Sequence, residues 1–279
     1  MSEEHLERGE VALMRALPPG TILQLMYLQE RLRTLAVGEF IEVGPGAGEI
    51  TRLLLASGWK GQAFDYDGET VERLRGRFSR ESDGGRLRIF NEDYTSSPHS
   101  APADLVISSM VMEHMGELQL SSFMAKAAED LRPGGRMIGL VPASPRHWGI
   151  EDEIAGHLRR YTRLSLNELA SSKGWKLTHI AGLTYPVSNL LLPISNYLVR
   201  RKERSKLGQS AEECTKQSGR RDVLFKTRFP SPLRFLLNER SLAPLHVMQK
   251  MCAESDRALV LYFEASPRDG TRERNGDGK

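Results

Sequence analysis

The run Glu42-Val43-Gly44-Pro45-Gly46-Ala47-Gly48 follows the apolar pair Phe40-Ile41 and leads into a helix-like stretch from Ile50 to Ser57. A strand, a glycine turn and a helix in this order make a site where main chain rather than side chain meets a ligand. Glycine permits the tight turn and the close approach of a bound group. Unpaired amides at the helix start receive its polar or anionic atoms. A nicotinamide-type fingerprint would put its third small residue at position 49, where this chain has Glu49. Asp65 ends the next apolar run, 21 residues after Gly44, and a carboxylate there can accept two hydrogen bonds from a ribose diol. Asp93, in Asn91-Glu92-Asp93-Tyr94, ends the run after that and is placed to accept from an adenine amino group. Either aspartate alone reads equally well as a loop residue or a helix cap. Two of them at strand ends beside a glycine loop favour a nucleoside ligand.

The elements that position these residues can be read from periodicity. Short apolar runs at Phe40–Val43, Gln62–Asp65, Leu87–Phe90, Asp104–Ile107 and Met137–Val141 read as strands, with Trp175–Ala181 and Arg257–Ala265 as a sixth and a seventh. Helical patterns at Thr51–Ser57, Glu69–Phe78, Leu118–Leu131 and Ser165–Ser172 separate them, and Ile22–Leu35 precedes them with Gly38 as its stop. Strands alternating with helices predict an α/β fold with a sheet wrapped on both faces. Its ligand lies beyond the carboxyl ends of the strands. The connection from 185 to 255 is too long for an ordinary loop and must fold into something of its own.

Two further segments complete a family pattern: Asp104-Leu105-Val106-Ile107-Ser108-Ser109-Met110-Val111-Met112-Glu113-His114, and Leu131-Arg132-Pro133-Gly134-Gly135-Arg136. With them the chain resembles the class I S-adenosylmethionine-dependent methyltransferases. In that family a glycine loop, a ribose acid, an adenine-side acid, a fourth strand ending near the reaction centre and a Leu-x-Pro-Gly-Gly turn occur in this order. The resemblance covers residues 38–142, and the Pro-Gly-Gly turn is its most discriminating part. Glu113-His114 and Gly156-His157-Leu158-Arg159-Arg160-Tyr161-Thr162 extend it toward small-molecule methyltransferases of the ubiquinone-pathway type. The resemblance implies a Rossmann-like, seven-stranded, mostly parallel sheet with a helical lid inserted between the last two strands. The expected division is N-terminal helices over 1–37, a cofactor-binding core over 38–184, the lid over 185–255, a final core strand over 256–266 and a disordered tail over 267–279.

Carried over to this chain, the resemblance assigns Gly44, Gly46 and Gly48 to the methionine part of S-adenosyl-L-methionine, with Glu42 near its amino group. It puts Asp65, with Tyr66 beside it, on the ribose, and Asp93 with Tyr94 at the adenine. Ser109 would offer its carbonyl to the methionyl ammonium. The reaction is an in-line displacement at a sulfonium that leaves S-adenosyl-L-homocysteine, so the protein mainly positions the nucleophile and excludes water. A hydroxyl or protonated amine also needs a base, and His114 and His157 are the candidates because imidazole titrates near neutrality. Each also has a structural reading: His114 packed at a helix start, His157 bonded within the Arg160–Tyr161 cluster. His5, His99, His147, His179 and His246 lack supporting context. Some relatives that bind a divalent metal carry a glutamate three residues before the Glu-His pair. Here that position is Met110, a poor ligand for a hard cation, so no catalytic metal is expected. The expected activity is methylation of a small-molecule or lipid-like acceptor, at oxygen; the competing reading is a catalytically silent methyltransferase-like subunit.

Composition is consistent with this. The 279 residues are 39% hydrophobic and 27% charged, ordinary for a soluble globular protein. The start, Met1-Ser2-Glu3-Glu4-His5, is acidic and is followed by no sufficiently long apolar run, unlike a secretory signal. No stretch reaches the ~20 apolar residues of a membrane span. Two cysteines, Cys214 and Cys252, suggest free thiols in a cytoplasmic protein rather than a disulfide framework. Residues 1–145 carry 15 Lys and Arg against 21 Asp and Glu, whereas residues 146–279 carry 24 against 15. The basic half suits an anionic partner, yet its cations lack the aromatic interleaving of a single-strand nucleic-acid binder. In the insertion, Val187–Val199 is apolar on most sides and runs into Arg200-Arg201-Lys202. That segment reads either as a buried helix on the sheet or as a lid lining an acceptor pocket. In the second reading its basic edge faces an anionic acceptor or makes peripheral contact with a membrane.

Overall fold

A computed structural model of the protein describes residues 16–203 and 231–268. His5, Cys214 and residues 269–279 of the expected tail lie outside the described residues, as do residues 1–15. The chain enters through helix α1 (Pro19–Leu32) and then alternates strand and helix: β1 (Glu39–Val43), α2 (Glu49–Ala56), β2 (Lys60–Asp65), α3 (Gly68–Arg77), the short α4 (Ser79–Asp83) and β3 (Leu87–Asn91). There follow β4 (Ala103–Ser109), α5 (Glu117–Asp130), β5 (Leu131–Pro142), the short α6 (Ile150–Ala155), α7 (Arg163–Ser172) and β6 (Trp175–Leu183). The insertion contributes α8 (Val187–Glu203) and α9 (Glu239–Met251), and β7 (Val260–Pro267) closes the fold.

The seven strands form one sheet in the order β3-β2-β1-β4-β5-β7-β6. The first five are parallel, while β7 lies antiparallel between β5 and β6. Alternation along each strand sends side chains to opposite faces. Ile41, Val106, Met137, Leu261 and Phe263 meet α5 through Leu120, Phe123 and Ala127. Phe40, Leu105, Ile138 and Tyr262 meet α1 and α2 through Tyr27, Leu28 and Leu54 on the other face. Residues at odd positions of β5 thus serve one layer and those at even positions the other, which is why its apolar run is nearly continuous.

Three details depart from the periodicity. The first helix ends at Leu32 rather than Leu35, and Gly38 does not terminate it. Gly38 instead makes room for Asp104, whose Oδ2 would lie 2.2 Å from a Cβ at that position. That carboxylate accepts from the Glu39 amide and from Arg132, each at 2.8 Å. The Pro-Gly-Gly turn is a bulge inside β5: Ala103 pairs with Leu131, Leu105 with Arg136, and Asp104 alone faces the four residues between. The third departure is α8, whose apolar side the first of its two readings buries on the sheet. Leu190, Ile194 and Tyr197 are instead exposed, while Val187, Ser188, Asn189 and Ser195 meet other described parts of the chain. Helix α9 docks on α1, where Gln249 donates to the Leu23 carbonyl at 2.8 Å and Lys250 pairs with Glu30 at 2.9 Å.

Candidate active site

Apart from His157, which follows α6, the residues singled out for chemistry fall at or just beyond the carboxyl ends of β1 to β4. After β1, Gly44, Gly46 and Gly48 all have positive φ (69°, 55° and 80°), but for different reasons. A Cβ on Gly44 would sit 2.5 Å from Val111, and one on Gly48 2.6 Å from Phe78, so both are glycine because neighbours crowd them. A Cβ on Gly46 would meet nothing within 4 Å. Here the loop opens onto the space a ligand would fill. The Asp65 carboxylate accepts from the Asp67 amide at 2.9 Å and is hydrogen-bonded to the Gly46 main chain; burial raises its pKa. Glu42 is buried and accepts from Thr51 Oγ1 at 2.6 Å. Burial pushes its carboxyl up to about 7, and the nearby Asp65 charge adds to the rise. Glu42, Gly46 and Asp65 therefore converge, with Tyr66 exposed beside them. Open main chain at Gly46 flanked by two carboxylates matches the needs of an amino-acid ammonium and a ribose diol, so the residues fit the expected cofactor.

Asp93 is exposed and caps a 3-10 turn, its Oδ1 accepting from the amide and hydroxyl of Thr95 at 2.9 and 2.8 Å. The expectation for Tyr94 needs correction at the side chain. Its ring is buried against Phe64 and Phe123, and its hydroxyl donates to Asp130 at 2.9 Å. Only the Tyr94 main chain is left for a bound base. Ser109 ends β4 half-buried. Met110, next along, takes φ 55° and donates its amide to Leu140 at 2.8 Å. This sharp exit drops Val111 onto Gly44 and so seats the segment Val111–His114 beside the glycine loop.

That segment brings the two histidines together. The His114 and His157 rings stand edge to face with centroids 4.8 Å apart. Burial and the neighbouring His157 push the His114 imidazole down to about 4, against a hydrogen bond with the Gly156 main chain. His157 Nδ1 is 2.8 Å from Asp152 Oδ1, which also accepts from Arg160 Nε at 2.8 Å. Asp152 Oδ2 takes the Gly149 amide at 2.9 Å. Although burial opposes it, these hydrogen bonds bring the fully buried Asp152 carboxyl down to about 2. Glu113 is also fully buried, its Oε1 3.8 Å from His157 Nε2, and neither oxygen has a hydrogen-bond partner among the described residues. Burial, with the Asp152 charge behind it, pushes its carboxyl up to about 8, so it is a neutral acid at pH 7. Glu113, His114 and His157 each offer one ligand atom, all within 4.8 Å of one another, and are the group among the described residues that could hold a cation.

The sequence reading named both histidines but not Asp152, which lies in the acidic run Glu151-Asp152-Glu153. Its only local signal is the pair of glycines, Gly149 and Gly156, that bracket α6 tightly enough to bury the middle acid.

The sequence pattern of the family Methyltransf_23, described as a methyltransferase domain, matches residues 19–180. No curated protein matches the chain. Among solved structures, the chain is similar to the pyocyanin biosynthetic protein PhzM, at 18% identity over 56% of this chain and 50% of that one, with a TM-score of 0.46. It is similar to magnesium protoporphyrin IX methyltransferase (ChlM) from Synechocystis PCC 6803, at 14% identity over 59% and 77%, TM-score 0.49. It is similar to StiE O-MT at 15% identity over 90% and 76%, TM-score 0.48. The chain thus spans half the length of PhzM and about three quarters of the other two. With a family pattern across more than half of its length, the chain belongs to the class I S-adenosylmethionine-dependent methyltransferase family.

Proposed function

We propose that the protein methylates a hydroxyl of a small-molecule or lipid-like acceptor, with His114 as the base. The observation that carries this reading is the placement of His114, three residues beyond the Val111 that packs on Gly44 and edge to face with His157 at 4.8 Å. Bound S-adenosylmethionine supplies an electrophilic methyl on a good, neutral leaving group. The chain's own residues do the rest. The Gly44–Gly48 loop, Glu42 and Ser109 hold the methionine end, Asp65 and Tyr66 the ribose, and Asp93 with the Tyr94 main chain the base. His114 accepts the hydroxyl proton as the acceptor oxygen attacks. His157 packs against it, and Asp152 fixes the tautomer and angle of His157 in the manner of a carboxylate behind a catalytic imidazole. We assign His157 the positioning part, because Asp152 and Arg160 already engage it.

On this reading residues 38–184 form the cofactor-binding core and the 185–255 insertion supplies the acceptor side. The enzyme works in the cytoplasm and needs no metal. Incubating the full chain with methyl-labelled S-adenosylmethionine and a library of phenols, alcohols, amines and carboxylic acids tests it. Label in a hydroxyl-bearing acceptor supports the proposal. Label only in amines, or tight cofactor binding with no labelled product, overturns it, and the second result would leave a silent methyltransferase-like subunit.

A further inference from the structure

Helix α8 has its polarity inverted. At 3.6 residues per turn, Leu190, Ile194 and Tyr197 fall within roughly 60° of one another, with Leu191 adjoining. Leu190 is 75% exposed, Ile194 60% and Tyr197 63%. On roughly the opposite side of the helix, Ser188 lies over Gly20 of α1, and Ser195 Oγ donates to Glu151 of α6 at 2.7 Å. A surface helix normally turns its apolar stripe to the core and its serines to water. Here the serines face the protein and the large apolar side chains face out.

Three observations limit what covers this stripe. Four side chains fall well short of the ~800 Å² per partner that a stable dimer buries. The helix closes on Arg200-Arg201-Lys202, within a half of the chain that carries nine more basic than acidic residues (24 against 15). No helix among the described residues is long and apolar enough to cross a membrane. An exposed stripe of Leu, Ile and Tyr running into a cationic end is the pattern of a helix lying in the plane of an anionic bilayer surface.

We propose that α8 docks the protein on anionic membranes through Leu190, Leu191, Ile194 and Tyr197, with the Arg200-Arg201-Lys202 run attracting the lipid headgroups. The proposal is independent of the acceptor assignment. It gives the insertion a second role, because the same helix bonds to Glu151, the neighbour of the Asp152 that braces His157.

Flotation of the full chain with vesicles tests it. The protein is expected to rise with equal parts phosphatidylcholine and phosphatidylglycerol, to remain behind with phosphatidylcholine alone, and to be released by salt. Leu190→Glu with Ile194→Glu removes two exposed apolar side chains that would enter the bilayer and should weaken flotation by about tenfold or more. Arg200→Glu with Arg201→Glu should abolish the preference for anionic lipid. Because these side chains are exposed or lie at the helix end, S-adenosylmethionine affinity and far-UV circular dichroism should match wild type, which separates this outcome from misfolding. Failure to float with anionic vesicles overturns the proposal, as does flotation unchanged by the Leu190/Ile194 pair. A concentration-dependent dimer abolished by that pair would instead assign the stripe to a second copy of the chain.

Discussion

His114 and His157 come from segments 43 residues apart in sequence, yet their rings meet edge to face at 4.8 Å. The two differ in how they are held. His157 is fixed through Nδ1 by a buried carboxylate, whereas His114 is kept neutral by burial and by His157 itself. On the proposed reading the first is the base and the second its positioning neighbour.

This division predicts different phenotypes. His114→Ala should lower turnover on the order of 10²–10⁴-fold while S-adenosylmethionine affinity stays near wild type. His157→Ala and Asp152→Asn should also lower kcat, by less, because they loosen the base rather than remove it. With the imidazole of His114 down at about 4, its neutral form prevails above that pH. kcat/KM should then hold its plateau through pH 5 to 6 and fall only near pH 4. A profile that halves near the ordinary histidine value of about 6.5 would show that a different imidazole carries the proton.

The cofactor loop gives a second test. Asp65→Ala removes a charged hydrogen-bond acceptor contributing about 1.5–3 kcal/mol, equivalent to roughly a 10- to 150-fold loss of affinity. Gly46→Val should abolish binding for a steric reason, since its side chain enters the open space above the loop, and φ 55° there adds backbone strain that a β-branched residue bears poorly. Calorimetry and thermal melting together separate the two effects. Wild-type affinity in Asp65→Ala would remove the ribose assignment.

Glu113 should govern alkaline stability. Its folded pKa of about 8 stands above the ordinary 4.5, so the folded state holds a proton that the unfolded state loses first. The stability linked to that proton is complete below pH 4.5 and is lost as pH rises through 8. Glu113→Gln cannot ionise. Its melting temperature relative to wild type should therefore climb steadily between pH 5 and pH 9. A difference that is flat with pH would mean that the carboxyl ionises at its ordinary value.

Chelation tests the metal-free reading. Prolonged dialysis against EDTA and 1,10-phenanthroline should leave turnover within a few-fold of the untreated protein. Loss of activity that zinc restores would reverse the expectation drawn from Met110 and assign Glu113, His114 and His157 as the ligands.

Most of the sheet was legible because each strand is a short apolar run bounded by a helix pattern, and the glycine loop declared the end of β1. The order of the last strands was not, since the residues of β7 look alike whether the strand runs parallel or antiparallel. Tyr94 shows a related limit. An aromatic beside a ligand-binding acid reads as a ligand contact, but the 3-10 turn capped by Asp93 rotates the ring inward toward Asp130. Asp152 was hidden by its acidic neighbours. The outward face of α8 was hidden because an apolar helix reads as buried until the surfaces around it are known.

The position of β7 also sets a schedule. Among the described residues β6 pairs with β7 alone, and the edge of β5 away from β4 is bare until β7 arrives. During synthesis the five parallel strands can assemble with the cofactor loop, while β6 and that edge wait for residues 260–267. An apolar strand edge left open for the time needed to make the whole insertion invites pairing with another chain. Early S-adenosylmethionine binding would not protect it, because the loop that binds the cofactor lies at the strand ends and leaves the edge bare. A nascent chain halted before Val260 should accordingly be far more prone to aggregate than one halted just beyond Pro267.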